Sequence, residues 1–253
     1  MKRIMAVLLT LMLLGGAALA EDWAWIEEPT PAQIPGQLPL SGVKIGLDPG
    51  HQARGNGAQE TVAPNSKQTK AKVSSGTEGV ATGVPEYVVV LDVALQLRDA
   101  LVEQGAEVVM TRETHDVDIS NQERAKMMNE AGVDLWLRIH CDGADNRSSN
   151  GIGLYVSKSN SIAEESYRAA EAILPRMVEA TGAKGNGITV NDNYTGQNWS
   201  EVPCLMVEMG FMSNPEEDVK LNDPAYQALL VTGMVNGISD YIALRDRGGE
   251  ALE

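Results

Sequence analysis

Only three histidines occur in the 253 residues, and two of them stand directly after apolar runs that read as strands. His51 follows residues 43–47 across an Asp48-Pro49-Gly50 turn, and His140 ends the run 135–140. Two carboxylates share the interest. Glu86 opens an amphipathic stretch, and Glu208 interrupts the run Leu205-Met206-Val207-Glu208-Met209-Gly210-Phe211. A carboxylate buried without a partner costs several kcal/mol, so Glu208 asks for a metal, a cation or a catalytic reason. Imidazole nitrogens and a carboxylate oxygen are the donors that zinc takes in catalytic sites, with a fourth position left open. Here His51, Glu86 and His140 lie 35 and 54 residues apart with no short histidine motif. Two readings of the histidines therefore stay open: metal ligands, or an ordinary hydrogen-bonded pair. Glu86 alone is also explained as a favourable charge at a helix N-terminus. His115, in the polar run 111–116, reads as a solvated loop residue.

The elements that must position these residues alternate. Strands are expected at 43–47, 107–111, 135–140, 151–156 and 205–211, with a short one around Ile188 and Val190. A helix from Glu86 carries Val90, Ala94, Leu97 and Leu101 on one face, with Gly105 suited to its C′ position. Ser120 and Glu123 form a capping box for a helix over 121–131, which Gly132 closes. Helices are also expected over 162–180, with Pro175 inside, and from Asp223-Pro224 toward Leu244. This rhythm predicts an α/β single domain: a mostly parallel twisted sheet with helices on both faces. In such folds sites gather at the carboxyl ends of strands. Residues 52–84 are polar and long for a loop, which marks them as functional or disordered.

The ends read differently. Lys2 and Arg3, the apolar run 4–14 and Ala18-Leu19-Ala20 have the layout of a signal peptide cleaved near Ala20, and the run is short of the ~20 residues of a membrane span. The protein is expected to be secreted, or extracytoplasmic, with no transmembrane segment once cleaved. Residues 21–40 form a Pro-rich extended leader with Trp23 and Trp25. The compact domain runs over 41–245, and 246–253 are a tail. Net charge is −15 over the full chain, and without basic clusters a nucleic-acid role is excluded. Cys141 and Cys204 invite a disulfide in an exported protein. If their strands run parallel they sit about five residues apart along the sheet, roughly 16 Å at ~3.3 Å per residue, beyond the ~7 Å a bridge allows. Two free thiols are expected.

Taken in order, several segments resemble the zinc-dependent N-acetylmuramoyl-L-alanine amidases. Lys44-Ile45-Gly46-Leu47-Asp48-Pro49-Gly50-His51 is similar to their opening strand and metal loop, and Glu86 to their second ligand. Met110-Thr111-Arg112 and Ser120-Asn121-Gln122-Glu123-Arg124 resemble the next strand and helix. Ile139-His140 resembles the third ligand segment, and Val207-Glu208 through Asn214 the segment with the catalytic glutamate. The resemblance spans about residues 43–242. It implies hydrolysis of the amide between the lactyl group of N-acetylmuramic acid and L-alanine of the peptidoglycan stem peptide. It further implies one Zn2+ per chain on His51, Glu86 and His140, with Glu208 as base. Gln52 stands where the family more often has Gly, Tyr87 where Lys is common, and Cys141-Asp142-Gly143 replace a small residue and Asn-Ala; Arg138 could pair with an acid or touch substrate. The competing readings are an exported zinc peptidase of stem peptides and a non-catalytic peptidoglycan-binding protein. Substrate-contact residues are undetermined, with Asn198 and Trp199 as candidates, and no activator protein is legible.

Overall fold

The computed structural model describes residues 38–246; the expected signal peptide, most of the leader and residues 247–253 of the tail lie outside them. Six strands form one sheet in the order β4-β1-β5-β8-β6-β7: β1 (Lys44–Pro49), β4 (Glu107–Met110), β5 (Leu135–Asp142), β6 (Ile152–Val156), β7 (Gly185–Val190) and β8 (Cys204–Phe211). All neighbouring pairs are parallel except β6 with β8. The α/β class and the mostly parallel sheet are as expected.

Alternation along the strands sorts two faces. Leu135, Leu137 and Ile139 of β5, with Leu205, Val207 and Met209 of β8, enter a large apolar core. Three helices cover that face: α1 (Glu86–Glu103), α3 (Ala163–Thr181) and α6 (Pro224–Asp246). The expected stripe of α1, Val90, Ala94, Leu97 and Leu101, is fully buried there. Ser166, a polar residue on the buried face of α3, is accommodated because its hydroxyl donates to the Ile162 carbonyl and accepts from Cys204 N. The opposite face is smaller. Met128 and Ala125 of α2 (Asn121–Ala131) pack there on Trp136 and Cys204. The predicted capping box of Ser120 and Glu123 is formed, and Gly132 ends α2 in the left-handed conformation.

Two readings are corrected and two short helices are added. Residues 52–84 are not a structureless loop; they contain an antiparallel hairpin, β2 (Asn56–Thr61) and β3 (Thr69–Val73). The two short helices flank β8: α4 (Thr195–Asn198) before it and α5 (Pro215–Leu221) after it, with Asn214 capping α5 and Pro215 in its first turn. β5 continues past His140 to Asp142, so Cys141 lies within the strand. The register Trp136↔Cys204 still sets Cys141 five residues up the sheet, and both thiols are free and buried. No described helix is long and apolar enough to cross a membrane.

Candidate metal centre and catalytic glutamate

From β1 the chain passes outward to β4, then returns through α2 to β5 on the other side of β1. The order thus reverses between β1 and β5, and a crevice opens at their carboxyl ends. His51 leaves β1 there and His140 sits on β5. Glu86 reaches the same point from the first turn of α1.

Three atoms converge. His51 Nε2, His140 Nδ1 and Glu86 Oε1 lie 3.1–3.2 Å from one another. Bonds of ~2.0–2.1 Å in a tetrahedron set ligand atoms about 3.3 Å apart, so the triangle has the dimensions of one face of a zinc site. The His51 tautomer agrees with this. His51 Nδ1 is 3.0 Å from the Ser74 carbonyl oxygen, which can only accept, and 3.1 Å from the Ser74 hydroxyl, which can accept as well as donate, so a proton on Nδ1 satisfies both. In a neutral ring Nε2 then turns a lone pair toward the Glu86 carboxylate. Two facing lone pairs repel unless a cation lies between them. This disfavours a simple hydrogen bond between His51 and Glu86. Burial pushes His140 down to about 4, against the pull of Glu86. Burial alone would raise Glu86, but the neighbouring His140 and His51 hold it well below the usual carboxylate range. A neutral His140 beside an ionised Glu86 is the pairing of protonation states that metal binding requires.

The backbone around His51 is held from below. Its φ is +59°, unusual for a residue with a side chain. Arg124 donates to the carbonyls of Pro49 (3.0 Å) and His51 (2.9 Å), and Arg112 to those of Pro49 (2.9 Å) and Gly50 (2.8 Å). Asp48, wholly buried, accepts from Arg124 through Oδ1 (2.5 Å) and from Arg138 through Oδ2 (2.9 Å), with Thr111 also donating to Oδ1. Gln52 belongs to the same network, accepting from Arg124 and from Ile119 N. Asp48, Arg112 and Arg124 were visible in the sequence only as parts of motifs. The partners that tie them to the His51 loop and to Arg138 are 62–90 residues away, and no local periodicity reports such pairings.

Glycine is required beside the candidate ligands. A Cβ on Gly50 would stand 2.2 Å from His140 Cε1, below any real contact, with both ring nitrogens at 2.5 Å. Gly50→Ala should therefore displace the imidazole and lower metal affinity by about tenfold or more, within the range of changes that disturb ligand orientation. A competition titration with a chromogenic chelator measures this. Wild-type affinity would show that the ring does not need that space.

Glu208 faces the same crevice. It is the register partner of His140 on the adjacent strand, about 4.8 Å away across the ladder. Met206 and Glu208 alternate away from the apolar core, so Glu208 stands on the polar face of the strand rather than inside its apolar one. Its Oε2 is buried with no hydrogen-bond partner. Burial first, then the charges of Glu86 and Asp142, push its carboxyl well up, with Arg138 pulling the other way. A cavity of about 500 Å³ brings Glu208 together with the three candidate ligands, Arg138 and Lys70. Asn198 and Trp199 do not line it. Their side chains donate to the Val62 and Thr61 carbonyls (3.0 and 2.9 Å) and pin the hairpin. His115 is half-buried rather than solvated, edge-on to Tyr87 at 5.3 Å between ring centroids.

Comparison with known proteins agrees with this site. Residues 45–240 match the family model described as N-acetylmuramoyl-L-alanine amidase. The germination-specific N-acetylmuramoyl-L-alanine amidase of Bacillus subtilis is 30% identical over 223 residues, covering 82% of this chain and 83% of that one. The probable cell wall amidase LytH of Staphylococcus aureus is 28% identical, and the match covers 81% of this chain but 60% of the relative. In fold, the N-acetylmuramyl-L-alanine amidase Ami1 of Mycobacterium smegmatis superposes with a TM-score of 0.74 at 24% identity, over 80% of this chain and 98% of that one. The chain belongs to the N-acetylmuramoyl-L-alanine amidase family, and it is a hydrolase of the amide that joins the muramic acid lactyl group to L-alanine in peptidoglycan.

Proposed function

We propose that the amidase works with one zinc ion per chain held by His51 Nε2, Glu86 Oε1 and His140 Nδ1, and that Glu208 is its general base and acid. The observation that carries this reading is the triangle of donors 3.1–3.2 Å on a side, with the lone pair of His51 turned into it. Zinc bound there supplies Lewis acidity toward the scissile carbonyl and lowers the pKa of water toward ~7. Glu208 Oε2 takes a proton from the attacking water and returns it to the departing alanine nitrogen. Burial raises its affinity for a proton, and a cation held by the neighbouring triangle would oppose that rise and favour the ionised form that takes the proton. Glu86 also accepts from Thr77 N (2.9 Å) and Cys141 N (3.0 Å), so its carboxylate cannot swing out of place.

The work of the enzyme lies outside the cytoplasm, where its polymer is. The cell-wall relatives support this, as does the signal-peptide pattern of residues 1–20. The buried Oε2 of Glu208, left without a partner beside the donor triangle, favours a catalytic domain over a mere binder, because burying a carboxylate in that way costs free energy.

The test is metal content joined to product analysis. Purified protein should contain one zinc, lose activity on dialysis against a chelator, and regain it with zinc. His140→Ala and His51→Ala should each lose the metal. The products should be intact stem peptides with a free L-alanine amine. Cleavage between peptide residues would make the enzyme a peptidase, and stoichiometric zinc in both histidine variants would remove the ligand assignment.

A further inference from the structure

We propose that Lys70, on the β2–β3 hairpin, is a specificity residue that receives a carboxylate of the stem peptide near the scissile amide. The inference rests on the catalytic cleft being the one described above. The cleft is acidic: Glu86, Asp142 and Glu208 all line it, in a chain of net charge −15. An anionic peptide entering such a cleft is repelled unless a cation meets it. Two cations line the cavity, Arg138 and Lys70. Arg138 is buried and committed, its Nε to Asp48 and its Nη2 to Asn121. Lys70 is exposed. Among the described residues it makes no ion pair, and its one hydrogen bond is to the Asn193 carbonyl at 2.6 Å. An ammonium has three donors, so two remain for a ligand.

The hairpin that carries Lys70 is built to hold it there. Few of its residues are apolar and buried: Val62 and Val73 are, while Gly57, Ala58, Gln59, Thr69, Lys70 and Ala71 are exposed. It is instead tied to the domain by side chains reaching its backbone. Gln122 Nε2 and Trp199 Nε1 donate to the Thr61 carbonyl (2.8 and 2.9 Å), Asn198 Nδ2 to that of Val62 (3.0 Å) and Asn121 Nδ2 to that of Lys72 (2.7 Å). Lys70, Ala71 and Ser74 thereby form one wall of the cleft, facing Asn193, Tyr194 and Thr195. The Lys70–Asn193 bond joins the two walls. The second residue of a stem peptide, a glutamate linked through its side chain, offers a carboxylate one residue beyond the alanine that departs. In some walls it is a carboxamide. Lys70 would favour the charged form.

Two soluble muramoyl tripeptides separate the possibilities: one with a free α-carboxylate on its second residue, and one with that group as a carboxamide. Wild type should prefer the carboxylate. Lys70→Gln should lower the ratio of kcat/KM values by about five- to tenfold, mainly through KM, and Lys70→Arg should largely restore it. The preference should also weaken as salt is raised. An unchanged ratio, or equal losses on both substrates, would mean that Lys70 only fastens the hairpin to Asn193, and would overturn the proposal. Glu208→Ala, run alongside, keeps the two failures apart. If it is inactive while Lys70→Gln leaves the ratio unchanged, the cleft reading stands and the Lys70 reading falls; if it is active, the cleft reading itself falls.

Discussion

Glu208→Ala should lower kcat by about three orders of magnitude while zinc content and fold are unchanged. General acid–base catalysis by one positioned group is worth ~10²–10⁴ in rate, and here one carboxylate is asked to act twice. Without its first action the water is a weak nucleophile. Without its second, the alanine leaves as an amine anion, a very poor leaving group. The residual rate would come from the metal and from binding. Glu208 does not belong to the donor triangle, so inductively coupled plasma analysis should return the wild-type metal stoichiometry. Removing it also relieves a buried Oε2 that has no partner, so the variant should be no less stable than wild type, a common result where a functional group is held under strain. Wild-type turnover would reject the base assignment. A lost metal would show instead that Glu208 is a ligand.

What could be read from the sequence depended on how local each signal was. The apolar strands, the Ser120–Glu123 capping box and the left-handed Gly132 are written in neighbouring residues, and each was formed. His51 and His140 stood out because each closes an apolar run, and the strand-end rule then brought them together, although β5 runs two residues past His140. Glu86 had no such mark; its ordinary reading as a helix start is also true, since it is the first residue of α1. The β2–β3 hairpin was missed for a physical reason. Its strands, Asn-Gly-Ala-Gln-Glu-Thr and Thr-Lys-Ala-Lys-Val, do not bury an alternating apolar face. It is held by Gln122, Asn198 and Trp199 through backbone carbonyls 61, 136 and 138 residues away in sequence. The antiparallel pairing of β6 was equally silent, because a strand's direction is decided by its connections and not by its own residues. Gln52, a departure from the family pattern, acquired a role only when its partners Arg124 and Ile119 were known.

Asp48→Asn should destabilise the protein by about 3–5 kcal/mol, the usual loss when one partner of a buried ion pair is removed, and urea unfolding will measure it. Asp48 is fully buried, and Arg124 and Arg138 meet it with 1% and 4% of their side chains exposed. The asparagine keeps the shape, but two guanidiniums are left in the interior without their counter-charge. Burial alone would raise the Asp48 carboxyl, yet Arg124, Arg138 and the Thr111 hydroxyl together hold it far below the usual carboxylate range. For a depressed acid the sign is fixed: the unfolded chain takes up a proton before the native one does. The stabilisation is thus complete above the unfolded value of ~3.9 and is lost as pH falls below it toward the native value. The wild-type protein should lose stability steeply under acid below about pH 4, and Asp48→Asn should flatten that slope while being weaker at neutral pH. Activity should fall as well, since the same Arg124 that Asp48 neutralises also holds the Pro49 and His51 carbonyls. If the variant were as stable as wild type at pH 7, the three charges could not form the buried network that supports the His51 loop, and the positive φ of His51 would need another source of restraint.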